Sequence, residues 1–221
     1  DIRAHYRVDE DIEFVGQILV TRPPRCPRTG LNPGLDCLIV VLRRIYAHIM
    51  LGRYNLAGSD WVKKAEEENP ILRHAWHMFG TSVEELQRAS QARHDVLKAL
   101  REIDGLDITS FNEMHTCDLM CRTFWSQHDF SLYDPRHSLD PFELDEWKEN
   151  EIAHVSLLRL NRQENPGQTL QALVDKSYGI FDIDGRSFLY GPHMPLIVRL
   201  EYTPDASTRL SFDDLRVLGL P

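Results

Sequence analysis

The period of the apolar residues changes once along this 221-residue chain, and that change limits the fold more than any other feature. Leu38, Val41, Leu42, Ile45 and Ile49 recur at three- and four-residue spacing, which is one face of a helix running to about Leu51. Ser59 or Asp60 predicts a short helix through Glu68, and Pro70 can open the next at its first position. Thr81 with Glu84, or Ser82 with Glu85, fits a capping box before a longer helix ending near Gly105. Ser110 with Glu113 repeats that signal before an expected helix from Met114 to Trp125. Residues 128–150 are polar and contain Pro135 and Pro141, so a long loop or insertion is expected there. From His154 the pattern turns to strands: Val155, Leu157 and Leu160 partly alternate, and a short helix is expected from Thr169 to Ser177. Residues 181–190 read as a hairpin turning at Asp184-Gly185, Pro195 to Tyr202 as an apolar strand, and Arg209 to Leu218 as a further candidate. Helices first and strands later give an α+β class: a helical part over 1–127, a loop or insertion over 128–151 and a sheet part over 152–221.

Composition narrows the function classes. Hydrophobic residues at 42% and charged residues at 27% are globular values. The longest apolar run, Leu38 to Leu42, is far too short to span a bilayer. With 25 basic against 34 acidic residues the net charge is -9, which argues against nucleic acid and favours a basic partner. Four cysteines do not make a disulfide framework; they read as reduced thiols of an intracellular protein, cytoplasmic or nuclear. The chain opens on Asp1 without a signal-peptide pattern, so a trimmed chain is expected, with any targeting segment outside it.

Cys37 is the most informative residue. It follows the turn-rich loop Thr29-Gly30-Leu31-Asn32-Pro33-Gly34, itself preceded by the proline-stiffened segment Arg22 to Arg28, and it falls at the expected N-terminus of an apolar helix. Unpaired amides and the helix dipole there favour a thiolate, the form that attacks carbonyls. Asn32 lies five residues earlier, and Gly34 frees the loop to fold back, so a side-chain amide could donate to a developing oxyanion. The alternative is a small apolar cysteine packed on a core helix, and Asp36 next door opposes thiolate formation.

The run Gly30-Leu31-Asn32-Pro33-Gly34-Leu35-Asp36-Cys37 resembles the cysteine box of the ubiquitin-specific protease family, Gly-Leu-x-Asn-x-Gly-Asn-Thr-Cys-Tyr, with Asn32, Gly34 and Cys37 in register. Later segments are similar to others of that family in the right order. Residues 69–79 resemble the helix after the cysteine helix, and residues 111–124 fall where the family carries Gln-Gln-Asp-Ala-His-Glu-Phe. Residues 168–174 are similar to its Ser-Leu-x-x-x-Leu segment, and residues 194–202 to Leu-Pro-x-x-Leu-x-Ile-x-Leu-x-Arg-Phe. The resemblance implies a papain-like cysteine protease fold, Cys37 as the nucleophile position, Asn32 as the oxyanion position, and ubiquitin or a ubiquitin-like protein as partner.

The departures bear on activity. The family's activating histidine lies well downstream of the strand matched by Leu196 to Tyr202, and this chain reaches Pro221 first; His193 precedes that strand. Leu35-Asp36 replaces Asn-Thr, Leu38 replaces Tyr, the glutamine-rich box reads Glu113-Met114-His115-Thr116-Cys117-Asp118, and the paired Cys-x-x-Cys zinc motifs are absent. The expectation is therefore a divergent, catalytically inactive relative acting through protein–protein contacts, including other protein subunits. One alternative is a working cysteine deubiquitinase whose histidine base is not identifiable in the sequence. Another is a helical interaction scaffold unrelated to proteases.

No cofactor and no metal is expected. His115, Cys117, Cys121 and His128 have spacings that could hold zinc, but core cysteines on a continuous helix are the favoured reading. Histidines such as His74, His77 and His94 read as solvated or hydrogen-bonded; His193 is the best outside candidate for a base to Cys37, with a strand-entry turn as its alternative role. The acidic stretch over 140–151 could meet a basic surface such as that of ubiquitin, or form a solvated loop with one aromatic anchor; Trp61, Trp76, Trp125 and Trp147 are expected in the core or partly in it.

Overall fold

The computed structural model describes residues 1–24, 32–52, 56–80, 82–103, 106–145, 147–148, 150–205 and 219. The chain divides into two compact units, Asp1–Phe124 and Trp125–Pro221. Among the described residues the first is helical and all strands lie in the second. A helical part followed by one with an antiparallel sheet agrees with the sequence pattern. The boundary falls at Phe124, and the candidate strand over 209–218 lies outside the described residues.

In the first unit, α1 (Ile12–Thr21) precedes α2 (Pro33–Ile45), which continues as a wider π turn over Tyr46–Met50. Of the expected face, Leu38, Leu42 and Ile45 are buried and Val41 and Ile49 half-buried; Leu35 and Ile39 complete the buried stripe. Next come α3 (Asp60–Glu68), α4 (Pro70–Ala75) and α5 (Val83–Arg101). Pro70 occupies the first position of α4 under an Asn69 cap. Ser82 and Glu85 close the expected capping box, each accepting from the other's backbone amide. Thr81 lies outside the described residues.

Two buried charges organise this core. Arg43 of α2 donates to the carbonyls of Leu19 at 2.9 Å and Ile18 at 3.1 Å, in the last turn of α1, and to those of Ala75 and His77 (3.1 Å) at the end of α4. A helix leaves its last carbonyls unpaired and partly negative, so one guanidinium serves two helix ends. Glu66 of α3 is equally buried and accepts from Tyr46 Oη (2.8 Å), Trp76 Nε1 (2.7 Å) and Arg3. Desolvation and the neighbouring Glu66 charge hold the Tyr46 phenol well above its ordinary pKa, so it stays the donor.

The expected helix from Met114 to Trp125 is broken. Its first piece is α6 (Phe111–Thr116), capped by Ser110. Cys117 is extended at φ -62°, ψ 155°, and α7 (Asp118–Met120) restarts with Asp118 in its first turn before a π turn over Cys121–Trp125. Cys117 and Cys121 therefore do not share a continuous helix: Cys121 is buried with its thiol on the Thr116 carbonyl at 3.3 Å, and Cys117 is half-buried at the break.

The second unit corrects the expectation of a loop over 128–151. Strands β1 (Arg136–Leu139) and β2 (Phe142–Asp145) form an antiparallel hairpin there. After α8 (Glu151–Val155) come β3 (Leu157–Asn161) and α9 (Leu170–Lys176). The hairpin β4 (Gly179–Ile183) and β5 (Arg186–Tyr190) turns at Asp184 (φ 52°) and Gly185 (φ 78°), both left-handed as a two-residue type I′ turn requires. The antiparallel order is β2-β1-β5-β4. The last strand, β6 (Arg199–Thr203), pairs parallel with β3. It starts four residues later than its apolar run suggests, because Leu196 N–H is committed to the Asp129 carbonyl at 2.8 Å. The inner sheet face meets a core of Leu132, Tyr133, Ile152, Leu158, Val174, Phe188 and Tyr190.

Candidate functional site

The start of α2 is built by capping. Asn32 is buried, and its side-chain oxygen accepts from Leu35 N–H at 2.9 Å. Asp36 N–H donates to the Asn32 carbonyl at 3.1 Å, and Pro33 has no N–H to offer. The amides that a helix start could aim at an oxyanion are thus mostly spent on the cap. With its oxygen on Leu35, the Asn32 carboxamide keeps its NH₂ group as donor.

Gly34 acts differently from the expectation. It lies inside the helix, and a Cβ there would stand 2.5 Å from the Thr109 carbonyl oxygen and 2.9 Å from the Ser110 carbonyl carbon. Glycine is needed for close backbone packing of α2 on the lead-in to α6, not for freedom of the loop. Gly30 and Leu31 of the cysteine box lie outside the described residues.

Cys37 is the fifth residue of α2, a free and exposed thiol. Exposure is at odds with a packed core cysteine. The position is also one turn past the helix start, where the dipole's effect has largely faded. Asp36 beside it is paired with Arg93 of α5, whose Nη2 also donates to the Asn32 carbonyl at 3.1 Å. Arg93 offsets the carboxylate that would oppose a thiolate, and it ties the cap to α5. It occupies the buried stripe Ala89, Arg93, Val96, Leu100; an arginine on an apolar stripe is the sequence signal that could have exposed it.

The histidines separate into distinct settings. His74 and His77 stack at 5.7 Å in the first unit, and desolvation first, then neighbouring cations, pushes them down to about 3 and about 4. His115 stacks on Phe111, one turn back on α6, at 5.5 Å. His193, in the second unit, places Nδ1 2.9 Å from the Ser131 carbonyl and its ring 4.0 Å from that of His128. The acidic stretch is partly neutralised internally. Asp145 and Glu151 pair with the buried Arg136 at 2.8 and 2.7 Å, and Arg136 also lies over the rings of Trp147 and Phe188.

A second surface was not anticipated from the sequence. Strand register sets Leu144, His137, Leu189 and Ile180 in one row across β2, β1, β5 and β4 on the outward face. Leu144 is 57% exposed, Ile180 64% and Phe142, stacked on His137, 69%. Asp140, Asp182 and Asp184 edge this face at the end where both hairpins turn. Among the described residues, no helix is long and apolar enough to cross a membrane. No family model, no curated protein and no solved structure matches the chain.

Proposed function

We propose that the chain is a divergent domain of the ubiquitin-specific protease type, with a papain-like arrangement, that binds ubiquitin or a ubiquitin-like protein without turning it over. The exposed apolar row across the four-stranded sheet carries this reading. Contiguous exposed apolar surface of this kind marks an interaction site. Its acidic edge suits a partner whose own apolar patch is ringed by basic side chains, as does the net charge of -9. The spent amides at the start of α2, and Cys37 one turn beyond them, support binding over catalysis. Titrating isotope-labelled ubiquitin with the 221-residue chain tests the proposal: saturable shifts confined to one face of ubiquitin are expected, and unchanged spectra at high micromolar chain would overturn it.

An active cysteine deubiquitinase is the second reading. The exposure of Cys37 and the Arg93 clamp on Asp36 favour it. Cys37, deprotonated by a base not identified in the chain, would attack the carbonyl of the ubiquitin C-terminal glycine, with the Asn32 NH₂ stabilising the oxyanion. The C–N bond would break, the amine would leave with the proton, and water would hydrolyse the thioester. Stoichiometric labelling of Cys37, absent in Cys37→Ala, by a ubiquitin carrying a C-terminal electrophile would establish this reading over the first.

A further inference from the structure

We propose that His128, Asp134 and His193 form a three-donor site for a divalent transition-metal ion, Zn²⁺ in the first instance. The metal-binding atoms of the three side chains all lie within 4.8 Å of one another. Zinc bonds of about 2.0–2.2 Å place tetrahedral donors about 3.3–3.6 Å apart, so closing on an ion needs small rotamer adjustments. His128 and Asp134 are exposed and His193 half-buried, which leaves those adjustments free.

The backbone beneath the cluster is fixed. His193 N–H donates to the Leu132 carbonyl at 3.0 Å and Asp134 N–H to the Gly191 carbonyl at 3.2 Å, with Tyr133 and Pro192 bridged between them. His128 opens a 3₁₀ turn over His128–Phe130, whose last residue hands its chain to Ser131. Leu196 N–H holds Asp129 from the other side. The three donors therefore come from two segments already tied together.

An independent observation concerns the proton on His193. A carbonyl oxygen only accepts, so the contact from Nδ1 to Ser131 places a hydrogen on Nδ1, and in the neutral ring the lone pair is then on Nε2. This is the arrangement in which a metal-binding imidazole is oriented, its other nitrogen donating to a carbonyl. Ser131 is itself locked: it is buried, donates to the Tyr133 carbonyl at 2.6 Å and accepts from Tyr133 N–H at 3.0 Å. Two imidazoles and one carboxylate favour zinc and its first-row neighbours over magnesium or calcium, which take all-oxygen shells. Three protein donors leave a position for solvent or a small anion, and His128 also lines a cavity of about 370 Å³ with Ser126, Tyr133 and Trp147.

Calorimetric titration of the 221-residue chain with ZnCl₂ tests the site, alongside Co²⁺ and the visible absorption that marks a tetrahedral Co²⁺ centre. One ion per chain is expected, together with the Co²⁺ bands and no response to Mg²⁺. Asp134→Asn and His193→Gln are each expected to weaken zinc binding at least tenfold, while His154→Ala, at an exposed histidine outside the cluster, leaves it unchanged. Near-ultraviolet circular dichroism confirms that each variant is folded; should His193→Gln fail to fold, the exposed His128→Ala carries the same test. Wild-type zinc affinity in the folded variants, or no binding by the parent chain at micromolar zinc, would overturn the proposal.

Discussion

Gly34→Ala and Gly16→Ala make the same chemical change in two helices, and the structure assigns them opposite signs. In an exposed helix interior, Gly→Ala stabilises by up to about 1 kcal/mol, because alanine surrenders less backbone entropy on folding. Gly16 of α1 is open to that gain: its nearest foreign atom to an added Cβ is the Ala47 carbonyl oxygen, at an ordinary contact of 3.7 Å. At Gly34 the added carbon would stand 2.5 Å from the Thr109 carbonyl oxygen and 2.8 Å from its carbonyl carbon. Those are backbone atoms and cannot rotate aside. Relief requires α2 to back away from the lead-in to α6 by roughly 1 Å, and overpacking of that kind costs about 1–3 kcal/mol. After a helical gain of about 1 kcal/mol is subtracted, Gly34→Ala is expected to destabilise by up to about 2 kcal/mol. Urea unfolding followed by far-ultraviolet circular dichroism measures both variants at matched slope. Stabilisation by Gly34→Ala equal to that of Gly16→Ala would refute close packing as the reason for glycine in the cysteine box.

Three further outcomes follow from the buried charges and the caps. Arg43→Met keeps roughly the volume but takes the guanidinium from the Leu19, Ala75 and His77 carbonyls, Ile18 retaining the Arg22 N–H, and is expected to cost about 3 kcal/mol or more in the same unfolding assay. His74 is held neutral in the fold with its pKa near 3, whereas the unfolded chain takes up a proton below about 6.5. Stability is therefore complete above pH 6.5 and falls as pH drops below it, by up to about 1.4 kcal/mol per unit. The midpoint difference between pH 7 and pH 5 should shrink in His74→Phe; parallel profiles would reject the assignment. Ser82→Ala removes one side of the α5 capping box and is expected to cost about 1 kcal/mol in the same unfolding assay.

What was legible in the sequence was local chemistry. Ser82 and Glu85 are three apart and close their box within one turn; Pro70 suits only a helix start; Asp184-Gly185 tolerates the positive φ that a tight hairpin demands. What escaped was set by partners distant in sequence. The hairpin β1–β2 reads as loop because its inward positions are Arg136 and Ser138, and an arginine becomes a strand core residue only once Asp145, Glu151 and two aromatic rings surround it. Arg93 was overlooked for the same reason, its partners being 57 and 61 residues away. The Met114–Trp125 helix was expected to be continuous, but Asp118 opens a new first turn and Cys117 adopts the extended geometry of a cap. The apolar row escaped because its members are spread over four strands and only the register aligns them.

The most direct measurement is calorimetric binding of ubiquitin to the 221-residue chain and to its Leu144→Asp, Ile180→Asp double variant. Both positions are more than half exposed, so the fold tolerates the charges. Saturable binding by the parent chain and at least a tenfold loss in the variant, about 1.4 kcal/mol, is the expected result. Equal affinities, or no binding by the parent chain, would contradict the assignment of the outward sheet face as the docking surface.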